Sequence, residues 1–287
     1  MLYDLNIPYS TSTSEAALAS TLTLAFTLGY HTVALNHIYT TVPSTKVDSP
    51  FAQLPSFDGK AIPNILHRAT IHFSDAATQH IHLANLIKIF DIIAVRPTSD
   101  EAFSKACLSL DVSIISLDLT QHHPFYFRIK PCMMAVNRGV RFEIAYAQAL
   151  QADARGRALF ISNATQLIRA TRGRGIMLAS EARSALMLRA PADAVNLLSV
   201  WGLGSEKGME GLGSVPRSVV VNEAMKRTGF RGVVDIVQVA DKGPDEVQPA
   251  AAAAKQESKQ KRKGDKEAGN ADKKNKKMKV VSREAPK

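Results

Sequence analysis

Cysteine is scarce. The 287 residues hold two, Cys107 and Cys132, both in apolar surroundings and not in CxxC spacing. That argues against a disulfide framework and a thiolate zinc site, and points to buried free thiols in a reducing compartment. Long apolar runs are missing too: no stretch approaches the ~20 residues that span a bilayer. The N-terminus opens on a strand pattern interrupted by Asp4, not on a basic region followed by an apolar one. No signal peptide is therefore expected, and the chain reads as soluble and intracellular. No GxGxxG follows the first strand, and there is neither a P-loop nor a Gly-x-Ser-x-Gly. The usual arguments for dinucleotide binding, nucleotide hydrolysis and a serine nucleophile are absent.

What is present is arginine, unevenly placed. Hydrophobic residues make up 45% of the chain, enough for a sizeable core, and the net charge is +10. Residues 1–127 carry 10 acidic against 6 basic side chains. Residues 128–240 reverse this with 16 basic against 8 acidic, and 13 of the 16 are arginine. Arginine's planar fork of donors suits phosphate and base edges and stacks on bases, so the bias favours a nucleic-acid partner over a merely basic surface.

The hydrophobic pattern alternates between the two periods. Strands are expected at Leu2–Asn6, Thr32–Asn36, Ile65–Phe73, Asp91–Val95, Val112–Leu117 and Ile176–Ala179. Helices are expected at Ser14–Leu28, about Thr78–Phe90, Ser99–Ala106, Pro131–Asn137, Arg155–Thr171, Pro191–Trp201 and Pro216–Thr228. The last two are separated by glycines at 202, 204, 208, 211 and 213, read as breaks. A polar excursion from Thr40 to Pro63 is longer than a standard βα loop.

Asn137-Arg138-Gly139-Val140-Arg141-Phe142-Glu143-Ile144-Ala145-Tyr146 reads as a helix stop feeding directly into a further buried strand. Gly139 supplies the left-handed closure, and Val140, Phe142 and Ile144 alternate at strand period. Gly173-Arg174-Gly175 precedes a strand and so reads as an αβ loop with arginine at its tip.

Strands separated by helices imply a parallel sheet. Seven of them without a dinucleotide fingerprint favour an α/β, TIM-like (β/α) barrel over 1–240, rather than an open doubly wound sheet. From Asp241 to Lys287 no aromatic residue occurs and charge dominates. This segment is expected to be a disordered basic tail. Lys261, Arg262 and Lys263, followed by Lys273, Lys274, Lys276 and Lys277, have the spacing of a bipartite nuclear signal.

In a barrel, chemistry gathers at the C-terminal ends of the strands. Those positions offer Asp4 and Asn6, Asn36 and His37, His72 and Asp75, then Asp118 with His122 and His123. A metal-dependent phosphoesterase using Asp4, His37, His72 and Asp118 is the alternative reading; its weak point is Asn6, a poor metal ligand. His80 and His82, two apart on a helix, point in different directions. Asp4 is better read as an orienting acceptor than as a general base.

Six stretches together resemble the barrel-forming, roughly thirty-kilodalton protein subunit family of nuclear RNase P and RNase MRP. They are Asp4-Leu5-Asn6, Gly29-Tyr30 before Val33-Ala34-Leu35-Asn36, the strand around Arg68, Pro124-Phe125-Tyr126-Phe127, the Asn137–Tyr146 run, and Arg189-Ala190-Pro191-Ala192-Asp193-Ala194-Val195-Asn196-Leu197. The resemblance covers about residues 1–230, with departures at Ala190, where relatives often have glycine, and Met187, where an acidic residue is common.

It implies a barrel related to the polymerase and histidinol phosphatase metal-dependent phosphoesterases with the metal ligands lost, Asp4-Leu5-Asn6 standing where such enzymes carry His-x-His. It also implies a non-catalytic subunit that takes no cofactor of its own, with cleavage performed by RNA, precursor-tRNA 5′ leaders and precursor rRNA as substrates, and a small ferredoxin-like protein among the partners. The nucleus and nucleolus are the expected location. On this reading Arg68, Arg138, Arg141, Arg155, Arg169, Arg172, Arg174, Arg183 and Arg189 are the expected RNA contacts, made to phosphate and largely without sequence reading.

Overall fold

Among the described residues, seven strands run parallel in one sheet whose spatial order is the order of the chain. In the computed structural model they are β1 (Leu2–Pro8), β2 (Tyr30–Tyr39), β3 (Asn64–Phe73), β4 (Ile92–Pro97), β5 (Ile114–Ser116), β6 (Arg141–Ala145) and β7 (Ile176–Ala179). Around them lie α1 (Glu15–Thr27), α2 (Leu83–Ile87), α3 (Asp100–Leu108), α4 (Ile129–Asn137), α5 (Tyr146–Gln151), α6 (Ala154–Thr171), α7 (Pro191–Val200), α8 (Ser205–Leu212) and α9 (Ser214–Thr228). The structure describes residues 1–41, 49–52, 54, 55, 57, 59, 61–74 and 83–228. The basic tail with its nuclear-signal lysines, Asp75, His80, His82 and much of the 40–63 excursion lie outside the described residues. None of the described helices is long and apolar enough to cross a membrane.

The sheet curls into a nearly closed barrel, as the alternation of strands and helices predicts. Between β7 and β1 the seam is narrow: Glu181 N–H donates to the Asn6 carbonyl at 2.8 Å, and Ser180 N–H donates to the Asp4 carboxylate at 2.9 Å. A side chain there stands in for a ladder carbonyl. The pairing of β1 on β2 shifts register between Asp4 and Ile7, the mark of a bulge. Asn6 thereby joins Tyr3 and Leu5 in facing the barrel interior.

Outward-facing Phe142 and Ile144 pack with the helices in the main core, together with Leu35, Phe103, Phe160 and Leu167. A second cluster fills the barrel near the N-terminal ends of the strands: Tyr3, Leu5, Ala34, Ile92, Ile114 and Met177. Val219 of α9 is buried among them, so this helix plugs the base. Polar contacts pin it there. Glu223 accepts from Ser113, Lys226 pairs with Asp111 at 3.0 Å, and Arg227 pairs with Asp91 at 2.5 Å. All three partners lie within three residues of the start of β4 or β5, at the base. The mouth, where the strands end, is left to loops.

The local signals act as read at several points. Gly139 takes φ 89 and closes α4, with Val140 N–H donating to the Ala135 carbonyl. Ser99 caps α3 through the Ala102 N–H, and Asp153 caps α6 through the Gly156 N–H. Ser14 stands at the N-cap of α1 but makes no side-chain cap bond.

Two helices depart from the sequence pattern, α5 and α8. The glycines of α8 are not breaks. A Cβ on Gly208 would lie 2.9 Å from Val195 Cγ1, and one on Gly211 would lie 3.2 Å from the Ile176 carbonyl oxygen. Both glycines let α8 seat closely on α7 and β7.

Candidate functional site

The largest side chain sealed in the barrel is Arg68. Its Nη1 donates to Glu143 Oε1 at 2.5 Å and to the Leu5 carbonyl at 2.6 Å, and its Nη2 donates to Glu143 Oε2 at 2.7 Å. The Arg68 Nε donates to Thr70 Oγ1, Thr70 to Asn36 Oδ1, Asn36 Nδ2 to Asn6 Oδ1, and Asn6 Nδ2 back to Glu143 Oε2. Donor and acceptor alternate round the ring without conflict, which satisfies polar groups that would otherwise be costly to bury. Burial alone would raise the Glu143 carboxyl. The Arg68 charge and hydrogen bonds, with Ser116 and Arg96, hold it below its usual value.

This corrects the expectation that Arg68 meets RNA. Its alternation position on β3 turns it inward, and its side chain is 0% exposed.

Asp4 lies at the seam, fully buried. Desolvation pushes its carboxyl up to about 6, against the opposing hydrogen bonds from Ser180 and Asn6. The other proposed metal ligands do not join it. Asn36 points inward to the ring, so the neighbouring His37 faces the other side of β2, edge-on to Tyr39 at 4.7 Å. His72 faces the mouth, where burial and then the Arg96 charge lower its pKa. Asp118 accepts from Thr120 and Gln121. Among the described residues no three His, Cys, Asp or Glu side chains converge. Where an acidic group does reach the mouth, Glu181, a cation already sits on it: Arg96 Nη2 donates to both carboxylate oxygens at 3.1 and 3.2 Å. The phosphoesterase reading is the less supported one.

The remaining arginines divide between the two ends of the barrel. At the base, Arg169 ends α6 and Arg172 caps it in the left-handed region, φ 56. Gly173 and Gly175 follow with φ 66 and 65, and Arg174 between them is exposed. This is the arginine-tipped αβ loop the sequence predicts. Two further cations flank it. A Cβ on Gly175 would lie 3.4 Å from Arg141 Nη1, and Lys207 Nζ donates to the Arg172 carbonyl at 3.2 Å. Sequence reasoning does not reach Lys207, because only the folding of α8 brings it there. Among the described residues none of Arg141, Arg169, Arg172 and Arg174 enters an ion pair. Arg141 is half-buried, and desolvation lowers its pKa from a very high value.

Arg138, also at the base, has another task. It donates to the carbonyls of Cys107 at 2.9 Å and Leu110 at 2.7 Å, clamping the C-terminal end of α3. At the mouth end, Arg155 opens α6 and Arg183 follows β7, both exposed. Arg189 is half-buried and donates to the carbonyls of Leu186 and Leu188. Arg155 and Arg169 share one exposed helix face, yet lie about 21 Å apart at 1.5 Å per residue. One phosphate cannot reach both.

The profile of the family described as RNase P subunit p30 matches residues 1–228. The probable ribonuclease P protein subunit 3 of Schizosaccharomyces pombe is 34% identical over 82% of this chain and 99% of its own length. Ribonuclease P/MRP protein subunit RPP1 of Saccharomyces cerevisiae is 28% identical over 82% of this chain and 84% of its own. A chain in the cryo-EM structure of archaeal ribonuclease P with mature tRNA has the same fold, with a TM-score of 0.63 at 15% identity over 84% of this chain and 100% of that one.

Proposed function

Because this chain belongs to the RNase P subunit p30 family, we propose that it is a non-catalytic protein component of the RNase P ribonucleoprotein, acting in removal of precursor-tRNA 5′ leaders, and that it also serves RNase MRP in precursor-rRNA processing. The observation that carries the RNA-binding part is the basal loop: Arg169, Arg172 and Arg174, flanked by Arg141 and Lys207, present uncompensated cations at the end of a rigid helix. Such a cluster fits phosphate, whose contacts position a protein without reading sequence. Arg155, Arg183 and Arg189 give a second set of contacts at the other end, so that RNA is held along the α6 side of the barrel.

Cleavage on this reading is the work of the RNA. One observation favours this assignment: on strand one, where a hydrolase would need a strong metal ligand, Asn6 stands instead and is tied by hydrogen bonds to Asn36 and Glu143. Other protein subunits, a small ferredoxin-like one among them, are the further partners, and the nucleus and nucleolus are the location. The two basic clusters from Lys261 and from Lys273 would serve as the nuclear signal.

Isolation of the tagged protein with its particle, followed by sequencing of the RNA, tests the proposal. RNase P and MRP RNAs are the expected yield, and recovery of neither would refute it.

A further inference from the structure

Among the described residues, two cavities at the barrel mouth share one wall. The first, of about 260 Å³, is lined by Thr120, Gln148, Gln151 and Arg96. The second, of about 310 Å³, is lined by Pro8, Tyr9, Asn36 and His37. Glu181 and Arg183 border both. Each cavity lies near or just below the lower end of the range for small-molecule sites, roughly 300–1,000 Å³.

The charges around this wall are arranged unequally. Glu181 is occupied by Arg96 and by Gln148 Nε2 at 2.6 Å. Asp118 is occupied by Thr120 and Gln121. Arg183 is exposed and, among the described residues, has no acidic partner. Two residues that line the cavities also carry a buried polar atom without a partner among the described residues, Arg96 Nε and, on the side of β2 away from the ring, His37 Nδ1. Buried polar groups are nearly always satisfied, so such orphans call for a ligand or water. The backbone adds a third sign. Glu181 has φ 54, a left-handed conformation unusual for a residue other than glycine, and strain of this kind gathers at binding sites.

We propose that the mouth binds one dinucleotide step of single-stranded RNA, with a base in each cavity and the intervening phosphate on Arg183. The Gln151 amide suits the donor and acceptor pattern of a base edge, while Gln148 and Thr120, bonded to Glu181 and Asp118, shape the wall beside it. Tyr9, Pro8 and His37 give the second cavity flatter, less polar walls against which a base can pack. Paired bases in a duplex could not enter either cavity, so the ligand is unpaired. The inference rests on the chain being an RNA-binding subunit. The mouth and the basal loop nevertheless lie at opposite ends of the barrel and can fail separately.

The test is equilibrium binding of an unstructured oligoribonucleotide of about four nucleotides to the full chain. Arg183→Ala should weaken it about tenfold, equivalent to about 1.4 kcal/mol. Arg183→Lys should retain most of the affinity, and His37→Ala and Gln151→Ala should each weaken binding. In the triple variant with Arg169, Arg172 and Arg174 changed to Ala, which removes phosphate contacts at the base, Arg183→Ala should still weaken the remaining binding about tenfold. Equal binding by Arg183→Ala would overturn the proposal, as would absence of binding by the wild type. Loss confined to the triple variant would overturn the mouth site and leave the basal surface standing. Displacement of the oligomer by inorganic phosphate as readily as by a dinucleotide would reduce the site to a simple anion pocket and refute the two-base reading.

Discussion

Arg68 and Glu143 form a two-pronged ion pair inside the barrel, at 2.5 and 2.7 Å, with both side chains 0% exposed. Removing one partner leaves the other charge buried and unpaired, which costs about 3–5 kcal/mol. Glu143→Gln should lower the unfolding free energy by that order in urea titrations. Replacing both, as Arg68→Met with Glu143→Leu, should restore more than half of the loss. A single variant as stable as the wild type would show that the pair is not sealed from water.

The seam carboxylate gives a pH signature. Asp4 is raised from 3.8 to about 6 by burial, so the folded chain holds this proton more tightly than the unfolded chain. Its favourable contribution is fully present below about pH 3.8 and is lost as pH rises through about 6. Asp4→Asn removes the charge and keeps an oxygen for the Ser180 N–H. Relative to the wild type, its stability should therefore rise between about pH 4 and about pH 6, by up to about 3 kcal/mol, and then level off. Denaturation midpoints of both proteins across that range check this; a difference independent of pH would contradict it.

Close seating of α8 makes its glycines sensitive. Gly211→Ala brings a methyl to 3.2 Å from a backbone oxygen of β7, and Gly208→Ala brings one to 2.9 Å from Val195. Each should destabilise by about 1–3 kcal/mol despite the better helix propensity of alanine. Melting temperatures of the two variants decide whether packing or propensity dominates.

Arg138 separates scaffold from interface. Arg138→Ala abandons the carbonyls at the end of α3 and should cost about 1–2 kcal/mol of stability. Its RNA affinity, measured well below the melting temperature, should stay within about twofold, the equivalent of about 0.4 kcal/mol. A stable variant with poor RNA binding would return Arg138 to the RNA surface.

The barrel is legible in the sequence because its strands are buried on both faces and its helices carry one apolar stripe, patterns that depend on near neighbours in the chain. The Gly139 stop and the Arg172–Gly175 loop are legible for the same reason. Arg68 is not, because an arginine on a strand gives no sign of which face it occupies. Its partner Glu143 lies 75 positions away, and only closure of the barrel brings the two together. Lys207 stays hidden with α8, because glycine suggests a break when its packing partners are unseen. Arg138 looks like a surface cation because the carbonyls it clamps belong to a helix some 30 residues earlier.

The central claim is that the basal arginines hold RNA through phosphate. The most direct measurement is the affinity of the full chain for a transcribed RNase P RNA across a range of salt, for the wild type and for the variant with Arg169, Arg172 and Arg174 changed to Ala. Removing one arginine from a phosphate should flatten the dependence of log affinity on log salt by about 0.7–0.9. The account predicts weaker binding by the variant and a slope smaller by about two to three. Unchanged affinity and an unchanged slope would contradict it.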